Sequence, residues 1–487
     1  MLKACSKVSV IGLDGMGWHF FNKLLNEATM PYTKSIVYKS YNYILKAPFP
    51  PMSYPSWLSI MSGVNPGKHG IFGFTFLDRT LWESKVFNAF HLEHPRIHEM
   101  LAMNKMKSII INPMPGYPII PLGGIYTICN VFVPRILYYP TTMKRYADLL
   151  LDKRGRGGNY IEKTVEELEK YLSIVEDTAD AIDWNLYWII LRQPDETAHK
   201  SPRDIVKLTY GLKRIFRLVD KIVKTLASRS DMTILVSDHG LKMCRYGISV
   251  NDILLNHGFV HLKKEFKKEK KARSKTFLIA TKLIHKVPPL ARFARDIFVK
   301  LSLKFHFKTY YREPDFKRST AFMHSASSFG VYVKKKSIIQ RVSNILSNHE
   351  GIKWVKRPDQ LYQGPYLSRA PDLFIMPDID HGFKLASSRI HGVEYVAMNE
   401  FEHHPEGILS IYCPEIDLAK TIKEVPAWTV TQLALVTLGV PVSSLSDNIE
   451  ILRKIINTDI GVRTRNYVGK WRLLKNTLYL KLKRKMY

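Results

Sequence analysis

The chain has 487 residues, 46% hydrophobic and 11% aromatic, enough for a sizeable buried core and incompatible with disorder throughout. No apolar run reaches the ~18 residues of a bilayer span, and the opening MLKACSKVSVIGLDG lacks the apolar stretch and cleavage site of a secretory signal. The formal charge of +30 is uneven: Lys263–Lys308 carries +12 and Gly461–Tyr487 carries +9, so the body is only mildly basic, which argues against a protein built throughout to coat nucleic acid.

VSVIGLDG (8–15) is a short apolar, β-branched run ending in Asp-Gly, which reads as a buried strand entering a loop. Residues 17–28 suit a helix. FPPMSYPSW (49–57) is a turn-rich entry, with Pro55 placed to be the first residue of a helix through SWLSIMSG. GVNPGKHG (63–70) resembles a phosphate-binding loop, but it is one residue short and His69 stands where Ser or Thr is required, so nucleotide cradling there is excluded. MKSIIIN (106–112) reads as a strand, 161–182 as a helix with charge pairs, 183–195 as an apolar strand with Asp195 just beyond it, and 203–228 as a helix. MTILVSDHG (232–240) is the next buried strand. Apolar strands without polar alternation, separated by helices, predict an α/β fold with a mainly parallel sheet covered on both faces.

After Leu262 the composition changes to a Lys-rich run and a basic amphipathic stretch broken at Pro288-Pro289, read as an inserted cap of two short helices over 263–313. Core-like sequence returns at 320–334, with strands expected at 370–376 and 406–414 and a helix at 427–439. The tail from 459 to 487 is basic, with Trp471, Leu474, Leu478 and Leu482 at helical spacing. The expected organisation is therefore a core of 1–262 and 314–458, a basic cap, and an amphipathic tail. The four cysteines, Cys5, Cys129, Cys244 and Cys413, form no CxxC pair, which predicts neither a zinc ribbon nor a disulfide framework and fits a reducing cytoplasm.

Three apolar runs end in potential metal ligands: Asp14, Asp195, and Asp238 with His239. In a parallel sheet the carboxyl ends of the strands share one edge, where sites gather. Asp195 and His199 are four apart, one helical turn, and point the same way if helical. Each feature alone has an ordinary reading, as a turn signal or a helix-surface pair; their recurrence at strand ends suggests divalent-metal ligands. Ser53 precedes a helix start and is either a local turn or capping residue or a nucleophile beside free helical N–H groups.

VIGLDGMG, PPMSYPSWLSIMSGVNPGKHGIFGF, PDETAH, VSDHGL with VNDILLNHGF, and HHPEGIL occur in an order that resembles the type I phosphodiesterase/nucleotide pyrophosphatase family of the alkaline phosphatase superfamily. INPMPGYPIIPLGGI and APDLFIM resemble its archaeal and bacterial branch, and the resemblance covers residues 7–262 and 314–445. It implies an alkaline-phosphatase-like three-layer sandwich and two divalent metal ions, zinc or alternatively manganese. Asp14, Ser53, Asp238 and His239 match one metal site; Asp195, His199 and His403 match the other. His403 is favoured over its neighbour His404, which falls where the pattern often has Arg. The implied activity is phosphate-ester hydrolysis, of diesters foremost, through a phosphoseryl intermediate on Ser53.

Two positions depart from the pattern: Ser53 stands where Thr is usual, and Phe74 where nucleotide pyrophosphatases carry a phosphate-contacting Asn, which sets nucleotide diesters apart from the metal chemistry. Ser53-Tyr54-Pro55-Ser56-Trp57 lacks the Arg that sulfatases need for formylglycine. The basic cap and tail pair cationic residues with Phe, Leu, Ile or Trp, which suggests an anionic membrane surface and a lipid-linked phosphate, acted on by a hydrolase or head-group transferase. An idle homologue that only binds is the alternative from another class.

Overall fold

Every residue of Val8–Leu13 and Leu186–Leu191 is buried, although alternate side chains leave a strand on opposite faces. Val8, Val10, Trp188 and Ile190 enter one apolar cluster, while Ile11, Leu13, Ile189 and Leu191 enter another. Both faces of the sheet are therefore covered, which is why these strands read as unbroken apolar runs. This computed structural model describes residues 5–151, 159–263, 312–456 and 461–484. The expected basic cap lies almost wholly outside the described residues.

The nine-stranded sheet runs Glu424–Pro426, Tyr41–Lys46, Glu406–Tyr412, Met232–Val236, Val8–Leu13, Leu186–Leu191, Ser108–Ile111, Ile125–Cys129, Leu137–Tyr139. Only Glu406–Tyr412 and Leu137–Tyr139 run against the others. Val8–Leu13 sits between Met232–Val236 and Leu186–Leu191 with Gly12 level with both Val236 and Ile190, so the three strands end together. Helices Ser53–Ser62, Ile97–Met103, Thr429–Thr437 and Ile449–Ile456 cover one face; Trp18–Leu24, Pro31–Val37, Tyr160–Ala181 and Tyr210–Ala227 cover the other. The helix expected over 203–228 is two, Pro202–Lys207 and Tyr210–Ala227, separated where Leu208 adopts φ 48°.

Core-like residues after 313 do not all join this sheet. Ala321–Phe322, Gly330–Val333, Leu373–Pro377 and Ile352–Lys356 form a four-stranded sheet over a separate apolar cluster, with helices Val250–Asn256 and Ile339–Ser347. A three-stranded sheet of Phe383–Leu385, Gly240–Ile248 and Tyr395–His404 leads from that cluster to the main sheet's edge. The tail forms the helix Val468–Arg484, whose Trp471 is fully buried in the main core and whose Lys475 Nζ donates to the Leu92 carbonyl at 2.7 Å. The apolar stripe that suggested a membrane face thus packs inward at Trp471, with Leu474 and Leu478 half-buried, while Leu473, Tyr479 and Leu480, outside that stripe, are exposed. Among the described residues no helix is long and apolar enough to cross a membrane.

Candidate metal centre and active site

Strand ends that coincide in register put their following turns side by side. Asp14 follows Leu13, Asp238 and His239 follow Val236 by two and three residues, and Asp195 lies in the first turn of Gln193–Lys200. Backbone N–H groups lock the turns together: Asp195 N donates to the Asp14 carbonyl at 3.0 Å, Met16 N to the Ser237 side chain (Oγ) at 2.8 Å, and Gly15 N to the Asp238 carboxylate (Oδ1) at 3.2 Å. Gly15 has φ 73°, and a Cβ there would stand 2.9 Å from Asp195 Cβ, so the close approach requires glycine. Gly12 is constrained from the other side, since a Cβ would collide with the Trp57 indole.

Two groups of ligand atoms result, each within 4.8 Å: Asp14, Asp238 and His239, and Asp195, His239 and His403. His239 Nε2 stands 3.5 Å from Asp14 Oδ1 and 3.3 Å from Asp238 Oδ2, and its ring stacks on His403 at 3.9 Å and 15°. His199 completes the second group, with Nε2 3.3 Å from Asp195 Oδ1 and 3.2 Å from His403 Nε2. The six metal-ligand candidates that are Asp or His therefore come together. His404 does not join them: its Nε2 lies 3.5 Å from Asp380 Oδ1.

The ring orientations suit metal binding. His239 Nδ1 faces the Gly240 carbonyl at 3.0 Å and His403 Nδ1 the Pro51 carbonyl at 3.1 Å, which leaves each Nε2 aimed into the cluster. Asp14 Oδ1, Asp238 Oδ2 and His239 Nε2 are buried without a hydrogen-bond partner. Such atoms are costly in a folded interior unless a cation answers them, so the donor set fits divalent ions.

The charges point the same way. Burial pushes the Asp14 carboxyl up to about 7, with the Asp195 charge adding to the rise and the Trp57 indole opposing it. Asp238 is pushed well above the carboxylate range by burial and then by Asp14 and Asp195. Burial would raise Asp195 as well, but the imidazoles of His199 and His403 outweigh it and hold that carboxyl well below the usual range. His239 is kept neutral by burial.

Ser53 is buried at the first position of Ser53–Ser62, after Pro51 and the extended Met52 that follow the cis Phe49–Pro50 bond. The helix begins there and not at Pro55, because Met52 is extended and its carbonyl already accepts the Ser56 N–H at 3.0 Å. Two contacts flank Ser53 and fasten the helix start to the cluster: the Pro51 carbonyl to His403, and Trp57 Nε1 to Asp14 Oδ2 at 3.0 Å. Neither partner stood out in the sequence, although Trp57 lies one turn after Ser53 and shares its helix face.

Beside Ser53 lies an aromatic group. Tyr54 packs on Phe74 at 4.4 Å and on Phe132 at 5.7 Å, and the Arg192 guanidinium covers Phe132 at 4.6 Å. Phe132 is 47% exposed and adopts φ 52°. Glu167 holds the loops behind it, accepting from Asn130 Nδ2 and from Gln193 Nε2, both at 3.1 Å. It thus links the loop of Phe132 to the turn of Asp195.

A model of the type I phosphodiesterase / nucleotide pyrophosphatase family matches residues 8–392. Among solved structures, phosphonoacetate hydrolase from Sinorhizobium meliloti 1021, in complex with phosphonoformate, aligns with TM-score 0.58 at 12% identity over 90% of this chain and 98% of that one. Murine ectonucleotide pyrophosphatase/phosphodiesterase 5 aligns with TM-score 0.53 at 14% identity over 92% of this chain and 100% of that one. At those identities the likeness is one of fold. A search of curated protein sequences found no match.

Proposed function

Because the chain belongs to the type I phosphodiesterase/nucleotide pyrophosphatase family, we propose that it hydrolyses phosphodiesters, with Ser53 as the nucleophile. The observation that carries the reading is the convergence of buried Asp14, Asp238 and His239 atoms without hydrogen-bond partners, on a cluster to which the helix start at Ser53 is fastened through Trp57 and Pro51. Two divalent ions, zinc or manganese, held by Asp14, Asp238 and His239 and by Asp195, His199 and His403, would activate the serine hydroxyl as Lewis acids and neutralise phosphate charge.

The chain's own contribution is positional. Ser53 Oγ attacks phosphorus, one ester oxygen leaves on the far side, and the phosphoryl group rests on Ser53 until water displaces it. The unsatisfied N–H groups and positive dipole end of Ser53–Ser62 favour the anionic phosphoryl group. The exposed ring of Phe132, backed by Tyr54, Phe74 and Arg192, offers an apolar surface to an organic substituent. A lipid-linked diester is the second reading, favoured by Leu473, Tyr479 and Leu480 exposed on the basic helix Val468–Arg484.

The test is hydrolysis of bis-p-nitrophenyl phosphate and p-nitrophenyl phosphate by metal-loaded protein beside Ser53→Ala. The expected result is diester turnover that falls by ~10⁴-fold or more in the variant. Turnover retained in Ser53→Ala removes the serine from the mechanism. A monoester preference replaces the substrate class, and a metal-free, inactive protein overturns the reading altogether. Flotation with anionic vesicles at moderate salt tests the lipid reading, which fails if the protein stays unbound.

A further inference from the structure

Arg192 directly follows the buried strand Leu186–Leu191 and directly precedes the helix Gln193–Lys200, so the strand end that places Asp195 also places this cation. Its guanidinium stacks over the Phe132 ring, 4.6 Å from the ring centre. Phe132 packs edge-on against Tyr54 at 5.7 Å and against Phe74 at 5.0 Å, and Tyr54 is the residue after Ser53. A row of side chains thus leads from the serine outward: Tyr54 is buried, Phe132 is half-exposed, and the Arg192 side chain is 24% exposed. Among the described residues the one ion pair of Arg192 is with Glu196, whose Oε2 lies 3.1 Å from Nη2. Glu196 is shared with Lys200, one turn further along the helix. The other carboxylate at these loops, Glu167, is occupied by the amides of Asn130 and Gln193. An arginine stacked on an aromatic face holds a fixed plane, the pre-organised form in which its N–H fork grips both oxygens of a carboxylate or phosphate.

We propose that Arg192, stacked on Phe132, is a specificity residue that selects diesters whose substituent carries an anionic group of its own. The inference rests on phosphodiester hydrolysis at Ser53 as proposed above. Phe132 alone would accept any apolar substituent. The guanidinium at the end of the row adds a charge-assisted pair that only an anionic substituent can make. In the row, Tyr54 and Phe132 stand between Ser53 and the guanidinium, which puts the charge at the substituent and not at the phosphorus. Glu196 steadies the fork at Nη2, and Lys200 draws on the same carboxylate, so the pairing of Arg192 with Glu196 leaves the cation able to take a second anion. A substituent without charge would meet the ring and leave the fork to water.

The test compares two chromogenic diesters of equal length, the n-butyl and the carboxypropyl esters of p-nitrophenyl phosphate, on metal-loaded full-length protein. The carboxypropyl ester should have the higher kcat/KM, by ~10-fold, and its advantage should shrink as salt is raised. In Arg192→Gln the two esters should become equivalent, whatever activity is lost on both. Arg192→Lys keeps the charge without the planar fork and should retain part of the preference. The comparison on the unaltered chain stands even where a variant folds poorly. Turnover of both esters without preference overturns the proposal and leaves phosphodiester hydrolysis at Ser53 intact. A preference that survives in Arg192→Gln also overturns it, as does an equal loss on both esters with the preference kept, which would move the guanidinium to the phosphoryl group. Turnover of neither ester nor of bis-p-nitrophenyl phosphate overturns both readings.

Discussion

The two halves of the candidate metal centre share His239, yet they resolve their charge differently. Asp14, Asp238 and His239 are almost entirely buried and present two carboxylates to one neutral imidazole, so burial drives both acids toward protonation. Asp195 lies between two imidazoles, one of them on His199, whose side chain is 39% exposed, and its carboxyl is held ionised. The buried half lacks positive charge and would need a cation to keep its carboxylates ionised; the open half supplies much of its own. A family of ligands assigned symmetrically from sequence is thus asymmetric in the fold, because solvent reaches only one side.

The strongest way to break this comparison is Asp238→Asn. Activity on bis-p-nitrophenyl phosphate should fall by ~10³-fold, with loss of about one bound ion per chain; elemental analysis showing undiminished metal would refute the dependence of the buried half on its carboxylates. His199→Gln should cost less, ~10²-fold, and remove only the ion of the open half. Simultaneous loss of both ions would show that the halves are not separable. Glu167→Ala should lower kcat/KM by ~10-fold through the loops of Phe132 and Asp195, with Glu167→Gln recovering most of it and KM changing more than kcat. Equal losses in both variants, confined to melting temperature, would make Glu167 a stability residue.

The smallest effect concerns pH. Asp14 has a folded-state pKa of about 7, raised from the ordinary carboxylate range. A raised carboxyl stabilises the fold fully below its unfolded pKa, and that contribution is lost as pH rises through 7. Bound metal replaces the proton as the counter-charge, so the melting temperature gap between metal-loaded and metal-stripped protein should widen from pH 6 to pH 8. Differential scanning calorimetry measures that gap. A gap that narrows with pH would mean that Asp14 is already ionised without metal.

Much of the centre was legible because its residues sit at strand ends, and a strand buried on both faces announces itself as an apolar run. Asp14, Asp195, Asp238 and His239 could all be read that way. His403 could not: it is the next-to-last residue of the strand Tyr395–His404, five of whose ten residues have intermediate exposure and two of which are exposed, and only the family resemblance singled it out. Ser53 was visible as a serine near a helix start, but Pro55 misdirected the boundary by two residues. Proline's fixed φ also suits later positions of the first turn, where its missing N–H is likewise harmless. The separate four-stranded sheet was legible only in part: core-like sequence at 320–334 and a strand at 370–376 stood out, but not that they pair apart from the main sheet, because strands of two to five residues are too short for a period to show.

By itself the sequence determined the local decisions: which segments bury both faces, where they end, and that acids and histidines stand at those ends. Hydrophobic periodicity and turn chemistry act over a few residues, so they can be read from a few residues. Tertiary structure decided everything that rests on pairing across the chain. It aligned Gly12 with Val236 and Ile190 and so gathered the candidate ligands, set Trp57 against Asp14 and Pro51 against His403, and turned Trp471 inward. Those contacts follow from strand order and register, which depend on the whole sheet's packing and leave no trace in the spacing of neighbouring residues.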